Sequence, residues 1–324
     1  MLGFLFALKQ TEALTHHWTM HIHFGQQGKS TPPLSNESTS IGLPLPLLGE
    51  QGVECFPLKK GLYHKRSQFH TWEDDHLLFG FAKQRVELHS DNQVAKQIYQ
   101  ELFSITKNHY LYRVWNYLPQ INEGTGDSER YKQFCDGRSS AFRDTFGDQD
   151  HVYMPAGTCV GIPEQSFVIY FIAGKQTPDH HENPNQVPAY RYPRQYGAKS
   201  PSFARATSVL INSKQHHFIS GTAAILGHES QGMNDLSHQL KITCDNLERI
   251  AEQMLNQPIT APKNPFAAFG KVYLRRATDF EEAKHTLTQR FPSIEPNLIY
   301  LHSDICRQEL LVEIELTFIG KEQH

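Results

Sequence analysis

Along residues 91 to 105, DNQVAKQIYQELFSI, the apolar positions Val94, Ile98, Leu102 and Ile105 fall three or four apart, and Asp91 stands where an N-cap belongs. The spacing predicts an amphipathic helix. The run YLYRVWNYLP, dense in aromatic and branched residues, predicts a strand, followed by a helix over about 127 to 142 and a strand ending in SFVIYFIAG. The same order returns later. LSHQLKITCDNLERIAEQML places Leu240, Cys244, Leu247, Ile250 and Met254 on one helical face. FGKVYLRRATD then reads as a strand, DFEEAKHTLTQRF as a helix, and NLIYLHSDI with LLVEIELTFIG as a closing hairpin. Two such blocks predict an α+β chain in which each block lays two helices on one face of a small mixed sheet. Packed together, they would leave a crevice, the kind of place where small ligands bind.

Ahead of the blocks, the opening MLGFLFAL reads as a buried strand. It has no basic leader and is followed by Lys9, Gln10 and Glu12 instead of a cleavage site. GQQGKSTPPLSNESTSIGLPLPLLGE, rich in Gly, Pro and Ser, reads as a long connection. The expected division is an N-terminal strand and connecting segment over 1–70, a first unit over 71–190 and a second over 191–324. With 39% hydrophobic residues the 324-residue chain can bury two cores. A formal charge of -3 gives no global field for nucleic acid or an anionic membrane, so an anion site must be local. Five scattered cysteines with no CxxC pair fit a reducing compartment, and no run is long enough to span a membrane, so a cytoplasmic location is expected. The sequence leaves monomer and small homo-oligomer equally open.

The densest polar segment is PAYRYPRQYGAKSPSFARA, which offers Tyr190, Arg191, Tyr192, Arg194, Tyr196, Lys199 and Arg205. Its prolines stiffen the backbone, guanidinium groups pair with carboxylates through two hydrogen bonds, and phenols add rigid donors. That set suits a small organic acid, although a solvated basic loop would have the same composition. Glu313 lies in LLVEIELTF, sharing a strand face with Glu315. It is either a surface residue of an edge strand or a partly buried acid of raised pKa. The nineteen histidines form no HExxH set, and neither a GxSxG elbow nor a GxxxxGK[ST] phosphate loop occurs.

The stretches YRVWNYLPQINE, ERYKQFCDGRSSAF, PAGTCVGIP, YRYPRQYGAKSPSFARA and SGTAAILGHES resemble the signatures of the chorismatase family, covering most of residues 110 to 230. The strand LVEIE is similar to the ligand-site strand of the Rid (YjgF-like) superfamily. The resemblance implies two Rid/YjgF-like (chorismate-mutase-like) α+β units, no cofactor or metal, and release of pyruvate from chorismate. It implies Glu313 as the acid that protonates the enolpyruvyl methylene. For the substrate it points to Arg205 and Arg194 with Tyr190 and Tyr192, to Arg138 of the CDGR turn, and to Ala223 and Ala224 beside SGT. In the family, a cysteine seven residues before the glutamate resembles a mark of the 3-hydroxybenzoate-forming branch, and Cys306 stands there. A lone cysteine is also an ordinary buried filler.

Other readings stay open at this point. The product could be 3-hydroxybenzoate, with or without 4-hydroxybenzoate, or a dihydroxycyclohexadienoate formed by hydrolysis. A Rid-like imine deaminase would use a similar arginine and strand, and a non-catalytic module for aromatic acids would keep the arginines without needing Glu313. The region before about residue 70 carries no family motif.

Overall fold

The computed structural model describes residues 17–25, 38–59, 62–87, 90–261 and 264–321. Three early strands, β1 (His17–Phe24), β2 (Ser38–Leu43) and β3 (Val53–Lys59), form a sheet in the order β2-β1-β3. The expected strand at MLGFLFAL lies outside the described residues. The Gly/Pro/Ser-rich segment is not connection throughout, because STSIGL forms β2 and pairs in parallel with β1. Its alternation puts Ile41 and Leu43 into the core, which outweighs the local polarity.

The rest is one plan used twice. The first unit runs β4 (Leu62–Arg66), β5 (Phe69–Glu73), β6 (Leu77–Arg85), α1 (Asp91–Ile105), β7 (Tyr110–Pro119), α2 (Arg130–Phe146), β8 (Ala156–Ile162) and β9 (Ser166–Gly174), with strand order β4-β5-β6-β9-β7-β8. The second runs β10 (Asp179–His181), β11 (Ala206–Ile211), β12 (Lys214–Ala223), a short ribbon of β13 (Ile225–Leu226) and β14 (Glu229–Ser230), α3 (Leu236–Leu255), β15 (Phe266–Leu274), α4 (Phe280–Arg290), β16 (Leu298–His302) and β17 (Val312–Gly320). Its order, β10-β11-β12-β17-β15-β16, is the same topology. The two sheets begin at Leu62 and Asp179.

Three local expectations need correction. The segments 298–302 and 312–320 are not a hairpin, because β15 lies between them, parallel to β16 and antiparallel to β17. A chain that leaves α4 on one face of the sheet enters beside β15 as a parallel neighbour, as β8 does beside β7. The second helix starts at Arg130, after a 3-10 turn, and continues to Phe146, where Gly147 with φ 68° ends it. The N-cap of α1 is Ser90, and Asp91 instead accepts a hydrogen bond from Arg130 Nε at 3.1 Å.

Helices α1 and α2 cover one face of the first sheet through Ile98, Leu102, Phe134 and Phe142, and α3 and α4 cover the second through Leu240, Leu247, Ile250 and Leu287. The opposite faces share a third core. There Met20, Ile22, Ile41 and Leu43 of the small sheet pack with Trp115, Tyr117 and Tyr170 of the first unit and Tyr273, Ile299 and Leu301 of the second. Burial of those aromatics locks the two units together. It also fixes which strand faces meet.

Candidate active site

Where the units meet, a cavity of about 410 Å³ opens. Its rim is formed by exposed Gly124, Thr125, Gln195 and Gln308, and its floor by buried Arg138, Thr158, Cys159, Arg205 and Glu313. The first unit supplies the start of α2 and the strand β8. The second supplies the 192–205 loop, the end of β12, the segment after β16, and β17. Hydrogen bonds stitch the two walls, from Gly157 N to Ser220 Oγ at 2.8 Å and from Gly221 N to Thr158 Oγ1 at 3.1 Å.

Glu313 sits in the middle of this arrangement, paired in register with Ala223 of β12 and Tyr273 of β15. The strand is central, which excludes the edge-strand reading, and the residue is only 4% exposed. The pairing of β12 with β17 shifts register between Ile219 and Thr222, and the irregularity makes room for the carboxyl. A Cβ on Gly221 would come within 2.0 Å of Glu313 Oε1, so this position admits only a glycine while the acid keeps its place. Burial raises the Glu313 pKa to about 8, and the charge of Glu315 adds to the rise, against the opposing pull of Arg113 and Arg205. At neutral pH the group is therefore a carboxylic acid that holds its proton.

Two residues along the same face, Glu315 has the opposite character. Burial would raise its pKa too, but Lys271 and Arg113 outweigh it and hold the group ionised. Lys271 Nζ lies 2.8 Å from Oε1 and Arg113 Nη2 2.8 Å from Oε2, with further donors in Trp115 Nε1 at 2.7 Å and Thr158 Oγ1 at 2.5 Å. Lys271 also reaches Glu54 of β3 at 2.7 Å, which ties the small sheet into the network. Two carboxyl groups with pKa values driven apart are the arrangement from which one acid and one fixed anion are made. Replacing Glu315 by Gln would leave Arg113 buried without its carboxylate. We expect a stability loss of about 3–5 kcal/mol, read as a lower urea midpoint. A midpoint equal to wild type would contradict the network's role.

The cations of the cavity are unevenly satisfied. Arg138, 2% exposed, forms no ion pair among the described residues. Its Nε and Nη2 meet no acceptor there, and its guanidinium lies over Phe134 at 4.8 Å. Arg205 donates to Tyr192 Oη at 2.7 Å and Val187 O at 3.1 Å, which leaves Nε unmatched. Arg307 lies over Tyr196 at 3.9 Å and donates through Nη1 to His228 O and Ser230 Oγ, leaving Nη2 unmatched. Arginines that line a cavity without a carboxylate partner among the described residues are the chemistry that takes up an anionic, carboxylate-bearing ligand.

Of the residues named from sequence, Glu313, Cys306, Arg205, Tyr192, Arg138 and Ala223 line this cavity. Cys306 is a neutral thiol, its pKa pushed far up by burial and by Glu313. Its residual exposure is to the cavity. Three others do not line it. Arg194 is exposed at the surface and pairs with Asp127, Tyr190 packs against His151, and Ala224 is fully buried in the cluster behind the wall. Two 3-10 turns, 189–191 and 194–196, rotate successive side chains of the loop to different sides, so proximity in sequence did not place them together. Sequence reading missed Arg307, Thr158 and Gly221. Arg307 adjoins Cys306, and that adjacency was the available signal.

Among the described residues no three His, Cys, Asp or Glu side chains could hold a metal ion, and no helix is long and apolar enough to cross a membrane.

Residues 54–173 match the family model described as chorismatase FkbO/Hyg5-like, N-terminal. A 3-hydroxybenzoate synthase of Streptomyces hygroscopicus is 35% identical over 214 residues, 63% of this chain and 62% of that protein. A chorismatase of the same organism is 34% identical over 226 residues, 67% of this chain and 65% of that protein. The chain thus matches under two thirds of the length of these curated relatives. A crystal structure of a chorismatase superposes with a TM-score of 0.78 over 95% of this chain and 96% of the other, at 24% identity, which extends the shared fold to both units. The family match and the curated relatives make this chain similar in sequence to the chorismatases, and the superposition shows that it shares their fold.

Proposed function

We propose that the protein is a chorismatase that releases pyruvate from chorismate and forms 3-hydroxybenzoate. The observation that carries the reading is a buried carboxylic acid, Glu313, holding its proton at neutral pH beside a cavity with unpaired arginine donors. The enol ether of chorismate is inert until its terminal methylene is protonated, and the oxocarbenium ion so formed accepts a nucleophile. Glu313 supplies that proton. Arg138, Arg205 and Arg307, with Tyr192, hold the two substrate carboxylates, and Ala223 lines the wall beside them. Burial, helped by the fixed negative charge of Glu315, keeps Glu313 protonated, and that charge stabilises the nearby cation as it develops.

When a ring hydroxyl captures the cation, no water is consumed, and collapse of the intermediate gives hydroxybenzoate and pyruvate. When water captures it, the products are a dihydroxycyclohexadienoate and pyruvate. Cys306, kept as a neutral thiol, is the residue we assign to the first branch. Its S–H can give and take a proton at the ring without acting as a thiolate. The identity of the curated relative named 3-hydroxybenzoate synthase favours the same branch.

The test is incubation with chorismate, a pyruvate assay and chromatography of the products. One pyruvate per 3-hydroxybenzoate is expected, while release of ammonia from imine substrates with no pyruvate from chorismate would overturn the reading. A second check uses Gly221. Gly221→Ala puts a methyl group where the carboxyl of Glu313 lies, and is expected to lower pyruvate release by at least about tenfold through misplacement of the acid. Unaltered turnover would show that the acid does not work from this position.

A further inference from the structure

Between β16 and β17 the chain makes an irregular strap, residues 303–311, that carries Cys306 and Arg307 to the cavity and leads into Glu313. Within the strap one backbone hydrogen bond is formed, from Leu310 N to Arg307 O at 3.1 Å, and three of its carbonyl groups converge on one side chain. Arg275, just past the end of β15, donates to Leu310 O at 2.7 Å, Ile305 O at 2.8 Å and Arg307 O at 3.0 Å. Two further bonds of 3.1 Å run to Asn122 Oδ1, and Asn122 Nδ2 in turn donates to Ile305 O at 3.0 Å. Asn122 belongs to the first unit, so the clamp spans both. Gln239 of α3 closes the far end, donating to Glu309 O at 2.8 Å and accepting from Leu311 N at 2.7 Å.

A guanidinium fork that satisfies three carbonyls of a loop does more than pair with a charge. It selects one backbone shape. Its only carboxylate partner among the described residues is Asp304, whose side chain is 53% exposed, and such a pair contributes little to stability. The hydrogen bonds to the strap are therefore the main consequence of placing an arginine here. Lys could not reproduce them, since its ammonium has three donors and no planar fork.

We propose that Arg275, with Asn122, is a positioning residue for product choice: by fixing the strap it sets where the Cys306 thiol and the Arg307 guanidinium meet the substrate, and so which nucleophile captures the cation. The inference rests on the chorismatase reading and deepens it. Protonation by Glu313 is common to both branches and comes from a strand that the sheet itself holds. Capture is decided afterwards, between a ring hydroxyl and water, at the wall that the strap builds. A displacement of that wall by about 1 Å is enough to change a rate on the order of a hundredfold. Loosening the strap therefore moves the partition more than it moves the first step.

The experiment compares wild type, Arg275→Met, Arg275→Lys and Asn122→Ala. Total pyruvate and the ratio of 3-hydroxybenzoate to dihydroxycyclohexadienoate are measured with chorismate. In parallel, iodoacetamide labelling of each cysteine is followed by peptide mass. In Arg275→Met and Asn122→Ala we expect pyruvate release within about tenfold of wild type and a product ratio shifted toward water capture by at least about tenfold. Cys306 should label several-fold faster, with Cys55, Cys135, Cys159 and Cys244 unchanged and Arg275→Lys intermediate. An unchanged ratio overturns the proposal, and so does equal acceleration at all five thiols, which would mean general loosening. If wild type itself releases no pyruvate, the chorismatase reading fails and product choice with it. Selective labelling of Cys306 would then show the clamp to be real without that chemistry.

Discussion

Replacing Glu313 by Gln is expected to lower pyruvate release from chorismate by at least about a hundredfold, the scale on which a general acid acts, while leaving binding of 3-hydroxybenzoate nearly unchanged. The amide keeps the shape and neutrality of the protonated acid, so the arginine donors and the cavity are undisturbed. What it lacks is a proton to give. The same variant reports on burial. Because the folded-state pKa of Glu313 is raised to about 8, the folded protein holds a proton that the unfolded chain has released above the ordinary carboxyl value of 4.5. The contribution to stability is complete below the unfolded value and declines as pH rises toward about 8. The difference between wild type and Glu313→Gln, which cancels the other titrating groups, should accordingly move by a few kcal/mol in favour of the variant across that window. Equal turnover in the variant would remove Glu313 from the chemistry. A stability difference independent of pH would remove the proton from its carboxyl.

Replacing Arg138 by Met should separate function from stability in the other direction. The guanidinium is 2% exposed and lacks an ion-pair partner among the described residues, so the resting protein bears an uncompensated buried charge. Methionine fills a similar volume without that charge, and such replacements are commonly neutral or stabilising. Substrate, however, loses the donors that would meet its carboxylate. We expect an unchanged or raised melting temperature together with a KM for chorismate higher by at least about thirtyfold, the lower end of the loss when one partner of a buried charged pair is removed. A KM equal to wild type, with the fold intact, would place the carboxylate elsewhere.

The sequence carried the units well because their strands are continuous apolar runs and their helices keep a clear three-and-four spacing. YLYRVWNYLP and SFVIYFIAG coincide with β7 and β9, and LSHQLKITCDNLERIAEQML with α3. What periodicity does not contain is which strand lies between which, and β15 came to separate two segments that are successive in sequence. The site shows the same limit. A glutamate in an apolar strand is visible, but Glu313 and Glu315 look alike in sequence. Their division into neutral acid and ionised anchor comes from Lys271, Arg113 and Thr158, which lie distant along the chain. The tyrosine and arginine loop was evident as an anion-binding composition, yet only Tyr192 and Arg205 of its four named candidates turn inward, for reasons of turn geometry. Arg307 and Arg275 were hidden because a strap with no regular period gives no sign of what it faces.

The pH dependence of kcat/KM for chorismate bears most directly on a strand glutamate that works as a neutral acid. A group in the free enzyme with its pKa at about 8 predicts a plateau through neutrality and a fall approaching tenfold per unit at higher pH, with that limb missing from the residual rate of Glu313→Gln. A rate that climbs through pH 8, or one already lost on passing the ordinary carboxyl range, would contradict it.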